Sequence, residues 1–209
     1  MTTHDPRMTL HEALLPLHRG RGAEDVIITS MGAAREWMVL GAGPLDLPLV
    51  PSSMGTAPSI ALGVALAQPE RRVIVVNGDG AMLMHLGALV TITAAAPPNL
   101  TLILQDNGIY EVTGAQPTPG AAPARADGGS VDFVGMARAC GFRSIFHFTD
   151  AEQWAREITR VLATEGPNFV LLDVQPVPGA VGPRSPGPAA ARAHALQRRL
   201  AQPIKPRPR

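Results

Sequence analysis

Cysteine and aromatic residues are scarce in this 209-residue sequence. Cys140 is the only cysteine, so one chain cannot build a disulfide, an iron–sulfur site or a cysteine-based zinc site. Phe, Trp and Tyr together make up 4% of the residues. No apolar run approaches the roughly 20 residues that a membrane-spanning helix needs, and the N-terminus lacks the continuous apolar segment of a signal peptide. We therefore expect a cytoplasmic protein in a reducing compartment, with no membrane partner.

Acidic residues are also missing from the end of the sequence. Asp173 is the last of them, and seven Lys and Arg residues follow it, whereas the preceding part carries 11 bases against 17 acids, a formal charge of −6. A basic tail is compatible with nucleic-acid binding. The tail has no aromatic side chains for stacking on bases, so a solvated tail or a protein contact is favoured.

Length and composition predict one α/β domain. At 209 residues and 45% hydrophobic content, the chain can bury one good core and hardly two. We place this domain at residues 1–174. Residues 175–209, rich in Pro and Arg, are expected to form an extended and partly disordered arm with a short helix near Ala189 to Ala201.

The most informative stretch reads as strand, tight turn and helix. The apolar run Val73 to Val76 leads into Asn77-Gly78-Asp79-Gly80, and a helix-compatible pattern follows from Ala81 to about Thr93. A second apolar run, Leu100 to Leu104, ends on Asp106-Asn107. Because parallel strands joined by a crossover helix end at the same edge of a sheet, both oxygen-bearing side chains are expected at that edge.

Asp79 and Asn107 suit a hard cation. Mg²⁺ takes oxygen ligands and commonly shares them with phosphates. Gly78 and Gly80 let backbone N–H groups approach a phosphate at the start of the following helix. The stretch therefore predicts a magnesium–diphosphate site, against the alternative of a βαβ unit with an ordinary glycine-rich turn.

The rest of the chain fits a three-layer α/β/α fold with a mostly parallel sheet. Apolar periodicity and capping residues predict the further elements. They are helices at Met8 to His18, Ala33 to Leu40, Ala57 to Ala67, Asp132 to Ala139 and Ala151 to Ala163, and strands at Asp25 to Thr29, Leu47 to Val50, Phe142 to Phe148 and Asn168 to Val174.

The spacing of Gly78-Asp79-Gly80 and Asn107 resembles the diphosphate-binding motif of thiamine-diphosphate enzymes. That motif usually ends in Asn-Asn, and here the first position is Asp106. The resemblance implies thiamine diphosphate and Mg²⁺ as cofactors. It also implies Asp79, Asn107 and the backbone carbonyl of Ile109 as metal ligands.

The segment Ser52-Ser53-Met54-Gly55 carries a second resemblance to these enzymes. In the family, a bulky apolar residue at this position wedges beneath the cofactor and holds it bent. The resemblance assigns that role to Met54, with the Ser52 carbonyl and Met54 N–H facing the pyrimidine. The alternative is that Met54 fills the core, which methionine does well.

Two more segments are similar to phosphonopyruvate and sulfopyruvate decarboxylases. One begins at Thr29-Ser30, and its alternative reading is a turn with a helix cap. The other runs from Tyr110 to Thr118 within a long loop, which is typical of a lid or binding segment. At Thr113 several related decarboxylases carry a catalytic Glu. The cofactor-binding residues implied altogether are Thr29, Ser30, Ser52, Met54, Gly78, Asp79, Gly80, Ala81, Asn107, Ile109, Tyr110 and Val112.

The roles of two charged or titratable side chains remain open at this point. Arg35 is expected either to attract an acidic substrate or to form a surface ion pair. His85 is expected either to face the cofactor or to be an ordinary helix histidine with its own hydrogen bond.

The resemblance, which covers residues 26–174, implies a lyase subunit. We expect the diphosphate-binding, β-type subunit of a two-chain 2-oxoacid decarboxylase, acting on sulfopyruvate or phosphonopyruvate. The glutamate that activates the cofactor is expected from a pyrimidine-binding partner subunit, so no catalytic residue is assigned here. The alternatives are an acetolactate-synthase-like carboligase subunit and a non-catalytic cofactor-binding module.

Overall fold

The computed structural model describes residues 5–182 and 184–204. It contains a six-stranded sheet in the order β2-β1-β3-β4-β8-β7, in which every neighbouring pair is parallel. Strands β5 and β6 form a separate short antiparallel ribbon. The expected mostly parallel sheet is confirmed.

The elements have the following bounds. The strands are β1 Val26–Ser30, β2 Asp46–Leu49, β3 Val73–Gly78, β4 Leu100–Asp106, β5 Ile109–Tyr110, β6 Gln116–Pro117, β7 Ser144–Phe148 and β8 Asn168–Asp173. The helices are α1 Leu10–Gly20, α2 Met31–Leu40, α3 Ala57–Ala67, α4 Asp79–Leu83, α5 Gly87–Ala95, α6 Phe133–Ala139, α7 Ala151–Ala163 and α8 Ala189–Leu200.

Two helical layers cover the sheet. Residues of α1, α2 and α7 pack on one face around Trp37 and Trp154. Residues of α3, α5, α6 and α8 pack on the other face around Phe169. Burial on both faces explains why the central strands are continuous Val, Ile and Leu runs rather than alternating patterns. The three-layer α/β/α architecture follows.

The strand order reverses between β1 and β3. From β1 the chain moves to β2 at one edge, and it then returns to β3 on the other side of β1. Such a switch point opens a crevice at the carboxyl ends of the strands, where open α/β sheets bind ligands. At this crevice Ser30 donates a hydrogen bond from Oγ to Oδ1 of Asn77 over 2.9 Å.

The predicted helix after the Gly-Asp-Gly turn is broken. It consists of α4, only five residues long, and α5, with residues 84–86 in turns between them. The helix dipole therefore contributes less at this turn than a long helix would, since a single turn aligns few peptide units. Helix α1, in contrast, extends further than predicted at its C-terminus, because it continues past Pro16 to Gly20.

The short helix expected near Ala189 to Ala201 is present as α8, whereas the division of the chain at residue 174 stays a prediction. Helix α8 packs against β2, with Leu196 buried in the core. Arg192 donates to the Val50 carbonyl over 2.9 Å, and Arg199 pairs with Glu24 at 2.7 Å. Two basic residues of this segment thus bind backbone and acidic groups of the domain. Lys205, Arg207 and Arg209 lie outside the described residues.

Within the described residues, none of the helices combines the length and apolar character needed to cross a membrane.

Leu196 tests the docking of α8. Replacing it with Ala should lower the free energy of unfolding by about 2 to 3 kcal/mol, because the change leaves a cavity under the helix. The exposed His194→Ala variant on the same helix should change it by less than about 0.5 kcal/mol. Urea denaturation measures both, and equal values for the two variants would show that α8 is detached from the domain.

Candidate cofactor and metal site

A cavity of about 290 Å³ opens at the carboxyl edge of the sheet. Most of the cofactor-binding residues expected from the sequence line it. They are Ser52, Met54, Gly78, Asp79, Gly80, Ala81, Asn107, Ile109, Tyr110 and Val112. Thr29 and Ser30 do not line the cavity, although they directly precede Met31 and Gly32, which do.

Asp79 and Asn107 converge at this cavity. The backbone N–H groups of Gly80 and Asn107 lie close enough to the Asp79 carboxylate to favour its ionised form. The carboxylate also accepts a hydrogen bond from Thr118 Oγ1 over 2.9 Å. The Asn107 side chain accepts the N–H of Ile109 at Oδ1 over 3.0 Å, which fixes the amide at the rim. Thus three predicted metal-ligand residues lie on one wall.

The Asp79 carboxylate is buried, and it forms no ion pair with a cationic side chain among the described residues. Burial, and secondarily the negative charge of Asp106, raise the pKa of Asp79 to about 7. The Thr118 hydroxyl and the backbone N–H groups of Gly80 and Asn107 act in the opposite direction. A carboxylate held this way is stabilised when a cation binds beside it, because the cation favours the ionised form.

Gly80 is required by close packing rather than by its backbone angles. A Cβ placed there would lie 2.5 Å from the Tyr110 ring and 3.2 Å from the Thr118 methyl group. Tyr110 and Thr118 belong to the ribbon and loop that fold back over α4. The glycine therefore lets the loop that holds Thr118 reach the Asp79 carboxylate.

Met54 and Met31 project into the cavity from strained backbone positions. Their φ angles are 46° and 52°, in the left-handed region that non-glycine residues seldom adopt. The Met54 side chain is 66% exposed, so it does not fill the core. Strain of this kind persists where surrounding structure enforces it, often at ligand sites. An exposed thioether beside the cavity suits the wedge role.

Buried polar atoms without partners accumulate at the same edge. Among the described residues six side-chain atoms are buried and unpartnered. Four of them follow or end the strands at the carboxyl edge: Thr29 Oγ1, Ser53 Oγ, Asn77 Nδ2 and Gln105 Oε1. Because an unsatisfied buried polar group costs about 1 to 3 kcal/mol, this edge is built to receive a polar ligand. The residues present therefore fit a metal–diphosphate group.

Glu111 was not singled out by the sequence, yet it lines the cavity. Its carboxylate lies over Gly32, where an added Cβ would meet Oε2 at 2.5 Å. It accepts a hydrogen bond from the Val177 N–H at 3.2 Å and contacts Arg35 at 3.4 Å. Arg35 also donates to the Val181 carbonyl over 3.0 Å. Glu111 and Arg35 together bind the segment that leads to α8.

The structure gives local contacts for the side chains whose roles were left open. Arg35 forms an ion pair with Glu111 rather than lining the cavity. His85 lies 3.1 Å from Ser59 Oγ through Nε2 and is an ordinary hydrogen-bonded histidine. Thr113 lines the cavity at the position where related decarboxylases carry Glu.

Five lining residues were missed by sequence reasoning: Met31, Gly32, Met84, Gln105 and Glu111. Gln105 carried a signal that could have been used, since it is a polar residue at the end of a buried apolar strand. Glu111 directly follows the motif residue Tyr110. The two methionines carried no such signal, because methionine is common in cores.

Two relatives share this part of the chain. The phosphonopyruvate decarboxylase of Streptomyces viridochromogenes is 38% identical over 151 residues, which cover 72% of this chain and 36% of the relative. The sulfopyruvate decarboxylase subunit beta of Methanothermobacter thermautotrophicus is 38% identical over 154 residues, which cover 73% of this chain and 75% of the relative. The chain thus spans about a third of the first relative and three quarters of the second.

A solved structure and a family model agree with the predicted fold. The chain superposes on the 2-oxoglutarate:ferredoxin oxidoreductase of Magnetococcus marinus with a TM-score of 0.67 at 20% identity, covering 84% of this chain and 64% of that one. The family described as "Thiamine pyrophosphate enzyme, C-terminal TPP binding domain" matches residues 31–174. The expectation of a thiamine-diphosphate-binding domain is confirmed, and the chain belongs to this family.

Proposed function

We propose that this chain is the diphosphate-binding subunit of a two-chain, thiamine-diphosphate-dependent 2-oxoacid decarboxylase. Its substrate is sulfopyruvate or phosphonopyruvate, and its products are the corresponding aldehyde and CO₂. The observation that carries the proposal is the convergence of the Asp79 carboxylate and the Asn107 amide at a cavity that Met54 borders. The cytoplasmic location expected from the sequence stays a prediction.

The chain's own residues have separable roles in this proposal. The oxygens of Asp79 and Asn107, with the Ile109 carbonyl, would hold Mg²⁺, which prefers oxygen ligands and shares them with phosphates. Backbone N–H groups at Gly80 and Ala81 would bind the diphosphate. Met54 would support the middle of the cofactor. Thr29 and Ser30 stay proposed cofactor residues, through their position before the cavity wall.

Thiamine diphosphate, when bound, supplies the electron sink that makes loss of CO₂ from a 2-oxoacid possible. The protein's part is to position the acid and exclude water. The lining residues, all within the described part of the chain, include no Lys, Arg or His. An anionic sulfonate or phosphonate tail is bound best by cationic groups, so we place those groups on the partner subunit.

An apolar face beside the cavity supports the proposal that a partner subunit binds there. Residues 47–69 and 80–105 contain no Asp, Glu, Lys or Arg, and they include α3 and α5, which contact each other. The exposed large side chains there are Met54, Leu66, Met84 and Val90. Exposed apolar patches of this kind mark protein interaction sites. Because Met54 and Met84 also line the cavity, a partner seated here would complete the site, and we propose the pyrimidine-binding subunit as that partner.

Reconstitution tests the proposed activity. The chain, co-expressed with a pyrimidine-binding subunit, should release CO₂ and an aldehyde from sulfopyruvate or phosphonopyruvate when Mg²⁺ and thiamine diphosphate are present. Acetolactate formed from pyruvate would instead indicate a carboligase. Absence of thiamine diphosphate binding by the assembled complex would favour the non-catalytic module and contradict the proposal.

Asp79→Asn should separate binding from stability. At neutral pH the variant should lose the Mg²⁺-dependent rise in melting temperature caused by thiamine diphosphate, because an anionic metal ligand is gone. The ligand-free variant should melt a few °C higher than the unmodified chain, because a buried charge is removed.

The pH dependence of the stability gained by Asp79→Asn follows from the direction of the pKa shift of Asp79. A raised pKa means that the folded chain binds the Asp79 proton more tightly than the unfolded chain does, so ionisation opposes folding. The gain should therefore shrink as the pH falls from 7 towards 4. A ligand-free variant that is less stable at pH 7.5 would contradict this account of the site.

Val90→Glu tests the proposed interface. A charge on this half-exposed position of α5 should weaken binding of the partner at least tenfold, since it would be desolvated in the complex. Val39→Glu is the matched control, because Val39 is 76% exposed on α2, on the opposite face of the sheet. Calorimetric titration with the partner measures both. Equal affinities for the two variants would place the interface elsewhere.

A further inference from the structure

Gln105 occupies a special position at the end of β4. It pairs in register with Gly78 of β3 and lies one residue before Asp106, where the strand ends. It is only 5% exposed and yet lines the cavity. Its Nε2 atom lies 3.8 Å from the point where a Cβ of Gly78 would stand. The amide is therefore next to the turn that carries Asp79.

The amide oxygen of Gln105 has no hydrogen-bond partner in the described part of the chain. Of the four buried unpartnered polar atoms at this edge, it is the one whose residue lines the cavity. An apolar side chain would fill the same space without the cost of an unsatisfied group. The position thus keeps a polar group that the folded chain itself does not use.

The chemistry of a primary amide limits the kinds of ligand that Gln105 can bind. The group offers two N–H donors and a carbonyl acceptor. A hydrated magnesium–diphosphate offers the complement of both, namely phosphate oxygens that accept and metal-bound waters that donate, because Mg²⁺ usually keeps several waters. A carboxylate at this position would repel the diphosphate, and a basic side chain would compete with the metal.

We infer that Gln105 is a positioning residue for the magnesium–diphosphate, binding a phosphate oxygen through its N–H₂ group and a metal-bound water through its oxygen. The inference rests on the proposed function and adds a contact made by this chain alone. It assigns Gln105 to the phosphorylated end of the ligand rather than to the ring systems or to the 2-oxoacid.

Two substitutions and one control test the inference. Gln105→Met keeps the length of the side chain and removes its polar atoms, whereas Gln105→Glu keeps its shape and adds a negative charge. Thr101→Val is the control, since Thr101 is buried on the same strand, about 13 Å away at the opposite end. The melting temperature of each ligand-free variant reports its folding.

The probes are Mg²⁺ with thiamine diphosphate and Mg²⁺ with inorganic pyrophosphate, titrated by calorimetry into the chain assembled with the pyrimidine-binding subunit. Gln105→Met should weaken both probes by about tenfold, as expected for loss of hydrogen bonds to a charged group. Gln105→Glu should weaken both further through charge repulsion. Thr101→Val should leave both affinities unchanged. The ligand-free Gln105→Met variant should melt no lower than the unmodified chain, because an unsatisfied oxygen has been removed.

Three other results would overturn the inference, and they can be told apart. Unchanged affinity in Gln105→Met, with normal binding by the unmodified chain, would leave the proposed function intact and reject Gln105 as a ligand contact. Weaker binding of thiamine diphosphate with unchanged binding of pyrophosphate would show that Gln105 contacts the ring systems instead. Failure of the unmodified chain, assembled with the pyrimidine-binding subunit, to bind either probe would reject the proposed function, and the inference with it.

Discussion

The site depends on a carboxylate that the fold buries without neutralising. Asp79 begins α4 at the end of an almost fully buried strand, and within the described part of the chain its polar neighbours are N–H and O–H donors rather than cations. Those donors orient the carboxylate and favour its ionised form, but burial and the negative charge of Asp106 outweigh them and raise the pKa of Asp79 to about 7. A divalent ion at the cavity wall would supply the missing charge. The binding of metal and the stability of the folded chain are therefore coupled through one side chain.

Other features of the surrounding structure support the same conclusion. Met31 and Met54 hold left-handed backbone angles at the cavity wall, and four polar atoms at the sheet edge lack partners. Each of these features costs stability in the free chain. They are tolerated because two helical layers and the fully buried central strands bind this edge to a large core. Destabilising features concentrated at one edge are typical of a functional site.

The sequence predicted most of the scaffold for identifiable reasons. Helix α3 has the expected bounds, since Gln68 and Pro69 end a continuous apolar pattern, and Asp150 caps α7 as expected. The convergence of Asp79 and Asn107 was predictable because parallel strands share a carboxyl edge. The break between α4 and α5 was not, because residues 84–86 include no Pro or Asn to signal it and tertiary contacts decide the turn.

Other features required three-dimensional information. The basic tail lacks an apolar stripe strong enough to predict docking, and the contacts of Arg192 and Arg199 with the domain join residues far apart in sequence. The same holds for Glu111, whose partner Val177 lies in the segment after β8. Gln105 reads as a minor interruption of an apolar strand until the cavity beside it is known.

A crystal structure of the chain grown with Mn²⁺ and thiamine diphosphate tests the central claim most directly, since the anomalous signal of Mn²⁺ locates the ion independently of the refined coordinates. The account predicts one strong peak within about 2.2 Å of an Asp79 carboxylate oxygen, the Asn107 side-chain oxygen and the Ile109 carbonyl, next to the diphosphate. A bound cofactor whose metal peak lies away from Asp79 and Asn107 would contradict it.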